Sequence, residues 1–445
     1  MPLKIIFCLK YFLPEQIAGT EIYVLSLAKS HLKSGDTIIV LKPNYNITQE
    51  RQYYYEGICI IEYPESKELN KELLTGFSYP SGIEPFKQIL EREKPDLIHF
   101  HEISGSNGIT VGHIKAAKSL NISVYFTMHL ANYSCKTGGL FYKKKYRCNG
   151  QINIKRCSVC ALNKRGVPKF LDQLIATAGF FLVQQKSKVL RFSGFRSLFN
   201  YPSYILQLQN NLIDIFDSCE KVFVLSEWYK KVLLLNDLPS EKIVLLPKVS
   251  PLKKTNVLNK IYDTTSVIKL VYVGRITKIK GLHILLKSLS LIKNNKWELS
   301  IYGQIDDNNY FLDCQKLINN KSQVHWKGLI YHSDIITSLN EYDLLIFPSE
   351  IEEMSPLIIQ EAFAAGLPTL SSNVKSIKEI IVHNVNGFLF DVGDANSLRH
   401  EISSILSAPQ KLSSINLEYK QVSFDDIVFI QKDLYNNKIH AKINE

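Results

Sequence analysis

The stretch Asp343-Leu-Leu-Ile-Phe-Pro-Ser349, continued as Glu350-Ile-Glu-Glu353-Met-Ser-Pro-Leu-Ile-Ile-Gln-Glu361-Ala-Phe-Ala-Ala-Gly-Leu-Pro368, decides the architecture. Asp343–Phe347 reads as a buried strand that stops at Pro348, which has no N–H to give to a ladder. Ser355-Pro356 reads as a helix start, with Ser as the cap and Pro at the first helical position. Gly366 followed by Pro368 reads as the helix stop. The order is strand, loop, helix, so the loop falls at the carboxyl edge of a parallel sheet, where such folds bind ligands. The helix start around Ser355, Pro356 and Leu357 offers free N–H groups and a positive dipole end, both suited to a phosphate.

The same rhythm runs outward in both directions. Ile268–Val273 and Leu299–Tyr302 read as strands, and Leu282, Leu285, Leu286, Leu289 and Ile292 recur at helical spacing. Nearer the start come Ile5–Leu9, Thr37–Leu41, Leu97–Phe100, Ser123–Thr127 and Val222–Leu225, with helical patterns at Glu21–Leu32 and Ile114–Leu120. Such alternation predicts βαβ units and parallel sheets. It breaks near residue 250, around Pro247–Pro251 and the polar Lys253–Lys260, and then restarts. The expected fold class is α/β with two Rossmann-like doubly wound domains. The expected boundaries are 1–250, 251–416 and a helical tail, 417–445, packing back on the first domain. Residues 133–205 fit the rhythm poorly and read as a Cys-rich, basic insertion in the first domain.

The chain has 445 residues, 45% hydrophobic and 21% charged, which allows packed cores rather than disorder. Its formal charge of +11 suits polyanionic partners. The N-terminal apolar run is short and broken by Lys10, so a buried strand explains it better than a signal peptide. No stretch supplies the roughly 20 apolar residues of a spanning helix. A cytoplasmic, reducing setting is expected, in which eight cysteines do not make a disulfide scaffold.

Two motifs carry the chemistry. Glu353 lies in the loop before the helix and Glu361 in its second turn, and carboxylates accept hydrogen bonds from sugar hydroxyls. Val273-Gly274-Arg275-Ile-Thr-Lys-Ile-Lys280-Gly281 again links a strand to a helix. Arg275 and Lys280 flank that loop and together neutralise a diphosphate, the group on which charge develops when a nucleotide-sugar is cleaved. Either motif alone also fits ordinary surface charge. Together, in this order, they resemble the family 4 retaining glycosyltransferases of the GT-B fold, in which two Rossmann-like domains face each other across a cleft. The resemblance implies that Glu353 contacts the donor sugar, Glu361 the ribose, and Arg275 and Lys280 the diphosphate. Asn386-Gly387-Phe388-Leu389 resembles a turn of that family that supports the fold.

The resemblance continues in the first half. Ala18-Gly19-Thr20-Glu21 opens a helix and is similar to the family's glycine loop near the donor phosphates, with Gly19 the one matching glycine. Lys94-Pro-Asp-Leu-Ile-His-Phe-His-Glu102 and Phe126-Thr-Met-His129 end two strands. The resemblance implies that His129 faces the reaction centre, while His99 and His101 shape the cleft. The family's Pro-Asn-Gly after the last strand is replaced by Pro247-Lys248-Val249. The implied reaction retains anomeric configuration without an enzymatic nucleophile. No Asp-x-Asp motif follows a strand, so catalysis needs no divalent cation on this reading.

Cys135, Cys148, Cys157 and Cys160 form C-x12-C-x8-C-x2-C, a pattern that fits either a structural zinc or four reduced thiols. Around and after them lie Lys143–Lys145, Arg147, Lys155, Arg156, Lys164, Arg165, Lys186, Lys188, Arg191 and Arg196. These interleave with Phe170, Phe180, Phe181, Phe192, Phe195, Phe199 and Tyr201. Basic and aromatic residues together suit peripheral contact with the inner face of an anionic membrane, against a solvated face over core helices. No nucleic-acid module is recognisable. The expected function is hexosyl-type transfer from a nucleotide-sugar to a glycan or lipid-linked glycan in cell-surface polysaccharide synthesis. A non-catalytic scaffold and a sugar-nucleotide epimerase of related fold are the alternatives.

Overall fold

Ile5, Ile6, Phe7 and Cys8 are all fully buried, as a strand covered on both faces must be. In the computed structural model they belong to β1 (Lys4–Cys8), inside an eight-stranded sheet. The structure describes residues 2–443 apart from 71, 74–75, 105–106, 144–145, 187–193, 250–259, 319–320 and 418–421. The expected break at Lys253–Lys260 thus lies almost wholly outside the described residues, as do Lys144, Lys145, Lys188, Arg191 and Phe192. The chain divides into two units, Met1–Leu246 with Phe424–Glu445, and Pro247–Ser423.

In the first unit, β1 is followed by β2 (Thr37–Asn44), β3 (Arg51–Tyr55), β4 (Ile58–Pro64), β5 (Leu97–Phe100) and β6 (Ser123–Met128). A two-stranded hairpin of β7 (Phe141–Tyr142) and β8 (Tyr146–Arg147) precedes β9 (Lys221–Val224) and β10 (Ile243–Leu245). The sheet order is β10-β9-β6-β5-β1-β2-β4-β3, parallel except where β3 meets β4. That antiparallel pair turns at Glu56-Gly57, both in the left-handed region at φ 49° and 82°, the geometry of a tight hairpin turn. The strand order reverses between β1 and β5, so their carboxyl ends open a crevice.

Residues 133–205 lie within the connection from β6 to β9, neighbours in the sheet. This connection carries helices Ile154–Lys164, Lys169–Lys186 and Tyr201–Ser218. They close over their own apolar cluster, with Val159, Leu162, Ile175 and Ala176 at its centre. The helix Phe424–Ile443 also belongs to the first unit. It buries Ile427, Val428 and Tyr435, and Lys432 Nζ donates to Asp36 at 2.8 Å. Tyr435 Oη stands 2.7 Å from His99 Nδ1, so a residue late in the chain completes the core beside β5.

In the second unit β11 (Ile268–Val273), β12 (Trp297–Tyr302), β13 (Val324–Gly328), β14 (Leu344–Phe347), β15 (Thr369–Ser372) and β16 (Phe388–Phe390) form one parallel sheet. Its order is β13-β12-β11-β14-β15-β16. Leu282, Leu285, Leu286 and Leu289 of helix Leu282–Ser290 are fully buried, as their spacing predicts. At about 2 kcal/mol for each fully buried leucine, that stripe holds the helix on the sheet. The order reverses between β11 and β14. The two strands followed by the charged motifs are therefore neighbours, with both loops at the switch point.

Candidate functional site

The loop after β11 and the loop after β14 touch through backbone. Glu350 N–H donates to the Ile279 carbonyl at 2.9 Å. Gly281 has φ 72°, and a Cβ placed there would stand 1.9 Å from the Pro348 carbonyl oxygen. Only glycine allows both the left-handed turn and this approach. The second loop is held again from β15, where Ser372 Oγ donates to the Ser349 carbonyl at 2.7 Å. Glu352, buried, accepts from the Lys375 N–H at 2.7 Å.

This scaffold brings Lys280 and Glu353 together. Lys280 Nζ donates to Glu353 Oε1 at 2.7 Å, and Ser349 Oγ donates to the same oxygen at 2.7 Å. The side chains are 20% and 15% exposed, so the pair is reachable yet poorly screened by solvent. Arg275 lies in the same loop, but its Nη1 turns to Asp306 beyond β12 at 3.1 Å. Sequence spacing alone points to neither Asp306 nor Ser349. Ser349 had a readable signal in its place at the carboxyl end of β14; Asp306 had none.

Helix Leu357–Ala364 follows Glu353. Pro356 stands at the N-cap itself and no side chain caps the helix, so Ser355 does not fill the capping role its type suggests. The proline fixes the extended entry instead, and Leu357 becomes the first helical residue. The stop at Gly366 is as expected: Leu367 N–H reaches back to the Ala362 carbonyl at 2.8 Å. Glu361 is buried in the second turn, and burial pushes its pKa up to about 7. His332 Nδ1 lies 3.4 Å from Glu361 Oε1, a neighbour that sequence spacing gives no means to find. Gly274 follows β11 directly, and a Cβ there would meet Tyr272 Oη at 3.4 Å. Asn386 braces its turn from both ends, accepting from Val382 N–H and donating to the Ile380 carbonyl.

In the first unit, Gly19 opens the helix Gly19–Lys33, and a Cβ there would meet nothing within 4 Å. Three histidines gather at the carboxyl edge of β5 and β6. His99 is fixed at both nitrogens, by Thr127 Oγ1 and Tyr435 Oη, each at 2.7 Å. His101 Nδ1 lies 3.2 Å from His129 Nε2. Burial pushes the His129 pKa down to about 3, so it is a neutral imidazole that hydrogen-bonds without taking up a proton. Beside His101, Glu102 accepts from Lys10 N–H at 3.4 Å, and burial raises its pKa.

Cys135, Cys148, Cys157 and Cys160 line one small pocket. Each sulfur is engaged by a separate group: Thr137 Oγ1, Gly150 N–H, Asn153 N–H and Lys143 N–H respectively, at 3.2–3.5 Å. Burial raises the pKa of Cys157 and Cys160, and the N–H donors from Asn153 and Lys143 oppose that rise. Among the described residues no group of three or more His, Cys, Asp or Glu side chains is arranged to hold a metal ion. All eight cysteines are free of disulfides.

Solved structures share this architecture over nearly the whole chain. A sucrose-phosphate synthase from Thermosynechococcus elongatus aligns with TM-score 0.67 at 16% identity, covering 99% of this chain and 100% of that one. Anabaena HepE, solved in complex with UDP and glucose, aligns with TM-score 0.60 at 14% identity, covering 99% of each. The fold is that of the GT-B glycosyltransferases. Residues 259–421 match the family model described as glycosyl transferases group 1. A relative described as capsular polysaccharide biosynthesis glycosyltransferase CapM, from Staphylococcus aureus, is 26% identical over 262 residues, 54% of this chain and 66% of that protein. The chain spans 47–66% of the length of the first curated relatives it matches.

Proposed function

We propose that this protein is a retaining glycosyltransferase that moves a sugar from a nucleotide-sugar to a glycan or lipid-linked glycan in polysaccharide synthesis. The observation that carries this reading is the meeting of Lys280, Ser349 and Glu353 at the switch point of the second sheet, with Glu361 buried in the helix that follows. The group 1 match over the same residues supports it, as does the likeness to a capsular polysaccharide glycosyltransferase. Glu353 holds the transferred sugar and Glu361 the ribose. Lys280, Arg275 and the start of helix Leu357–Ala364 hold the diphosphate, with Gly274 leaving room for backbone to approach.

In the transfer, the bond from the anomeric carbon to the diphosphate oxygen breaks with its electron pair leaving on that oxygen. A bond to the acceptor hydroxyl oxygen forms on the same face, and the hydroxyl proton passes to the departing phosphate oxygen. Fixed cations stabilise the charge that develops there. His129, neutral, is offered as a hydrogen-bond partner to a sugar hydroxyl at the carboxyl edge of β6. Arg275 and Lys280 supply the positive charge, so transfer is expected to persist in EDTA. The deciding experiment is a thermal-shift screen of UDP-, GDP- and ADP-sugars followed by a transfer assay with the donor that binds. Absence of binding by every nucleotide-sugar sinks the reading.

Glu361 gives a pH signature. Its pKa of about 7 means that the ligand-free protein holds a proton there below neutrality. Two ribose hydroxyls bind the carboxylate better than the acid, so binding releases that proton and strengthens as pH rises through 7. Nucleotide affinity is expected to increase about tenfold between about pH 6 and pH 8, then level off. Glu361→Gln should bind more weakly with a flat profile. Calorimetry across that range checks it, and a flat wild-type profile removes the ribose role from Glu361.

We also propose peripheral contact with the inner face of an anionic membrane. Helix Lys169–Lys186 exposes Phe170 at 69%, Leu174 at 65% and Phe181 at 55%, spaced along one face. Exposed Lys164, Arg165 and Lys169 lie near its start. No helix among the described residues is long and apolar enough to cross a membrane. Cosedimentation with phosphatidylglycerol vesicles is expected, and Phe170→Ser with Phe181→Ser should abolish it. Equal binding of that double variant removes this surface from consideration.

A further inference from the structure

A cavity of about 390 Å³ opens in the first unit, away from the four-cysteine pocket but sharing the segment Cys135–Thr137 with it. It lies at the carboxyl edge of the sheet. Ile103 and Ser104 come from the loop after β5, and Asn132 and Tyr133 from the turn Ala131–Ser134, just beyond His129. Helix Tyr201–Ser218 forms the opposite wall. Its volume falls within the range of roughly 300–1,000 Å³ typical of small-molecule sites. Nothing in the motifs already described accounts for it.

The chemistry of the lining is selective. Lys136 is its one ionised side chain among the described residues, and no Asp or Glu lines the cavity. Lys136 makes no ion pair with any described carboxylate. Its ammonium lies 5.7 Å from the centre of the Tyr204 ring. The surrounding protein, and then the like charge of Arg165, lower its pKa, so an anion placed there would be doubly favoured. Two further atoms look for partners: Asn132 Oδ1 and Ser78 Oγ are buried without a hydrogen bond among the described residues. Asn132 Oδ1 can only accept, so it calls for a donor such as a hydroxyl. Tyr79 and Tyr204 add flat walls of the kind on which sugar rings lie. A cation, an orphan acceptor and aromatic walls together describe a sugar that carries a negative charge.

We propose that this cavity seats the acceptor and selects one bearing a phosphate or carboxylate, with Lys136 as counter-charge and Asn132 as receiver of a sugar hydroxyl. The assignment rests on the glycosyltransferase reading and narrows its acceptor to an anionic sugar.

The test is ligand-observed NMR titration of the full chain with α-D-glucose 1-phosphate, D-glucuronate and methyl α-D-glucoside. At least one anionic probe is expected to bind about tenfold or more tightly than the neutral glucoside, the size of one charge-assisted hydrogen bond. Preference for the phosphate or for the carboxylate identifies which group the acceptor carries. Lys136→Met should bring that probe to the level of the glucoside, and Lys136→Arg should largely restore it. Asn132→Leu should weaken all three. Nucleotide binding by the second unit is read in the same samples by thermal shift. Equal binding of the glucoside, undiminished binding by Lys136→Met, or no binding of either anionic probe overturns the proposal. If nucleotide binding is intact in that event, the failure is the cavity's alone. Loss of nucleotide binding by the wild type would instead count against the glycosyltransferase reading.

Discussion

Glu353→Gln is expected to lower sugar transfer about 10³-fold while leaving free-nucleotide affinity within about threefold. The substitution keeps the size of the side chain and an oxygen able to accept from Ser349 Oγ, so the loop is not expected to collapse. What it removes is the negative charge facing Lys280 Nζ at 2.7 Å. A carboxylate held by two donors on one oxygen is fixed in direction, and on the proposed reading its other oxygen receives a hydroxyl of the transferred sugar. That sugar gains positive character at the anomeric carbon as the diphosphate leaves, so the charge on Glu353 matters most at the transition state. Lys280, released from its carboxylate, remains available to the diphosphate, which is why nucleotide binding holds. A steady-state assay with the preferred donor, beside a direct titration with the nucleotide, separates the two effects. Transfer within tenfold of wild type would remove Glu353 from the reaction centre.

Gly281→Ala is expected to destabilise the second unit by about 3–5 kcal/mol, or to prevent its folding. An alanine in the left-handed region costs about 1 kcal/mol in backbone terms alone. The larger part is the 1.9 Å approach to the Pro348 carbonyl oxygen. Both partners are backbone, so relief requires the two loops to part. Parting them breaks the Glu350–Ile279 hydrogen bond and separates Lys280 from Glu353. Urea denaturation measures the loss of stability. Any protein that still folds should also bind nucleotide more weakly. A melting temperature within about 2 °C of wild type would show that the loops yield without cost.

Much of this was readable from residue order because the relevant forces are local. The apolar run Ile268–Val273 and the leucines from Leu282 to Leu289 announce a covered strand and the helix that covers it. The positions of Arg275, Lys280, Glu353 and Glu361 follow from strands that end in loops. The pairing of β11 with β14 is what converts two motifs 70 or more residues apart into one cluster, and no local pattern encodes it. The β3–β4 hairpin escaped because Tyr53, Tyr54 and Tyr55 blur the alternation and its turn begins with Glu56, an uncommon residue at positive φ. Ser355 misled because a good capping residue was displaced by the stiffness of Pro356. For the cysteines, spacing reports which sulfurs are near in sequence, not whether their lone pairs converge, so it leaves zinc and free thiols as alternatives. Lys136 gave no signal, since its isolation from carboxylates exists only after helix Tyr201–Ser218 folds across it.

The helix Phe424–Ile443 bears on how the molecule is born. During synthesis the first 246 residues emerge, then the entire second unit, and only afterwards the helix that covers His99 through Tyr435. At 5–20 residues per second, the first sheet waits roughly ten to thirty-five seconds with that apolar seam open to water. The unit made first is thus the unit finished last. On the ribosome this chain presents a window in which a holding chaperone has a defined surface to grip, and the window closes when Tyr435 arrives.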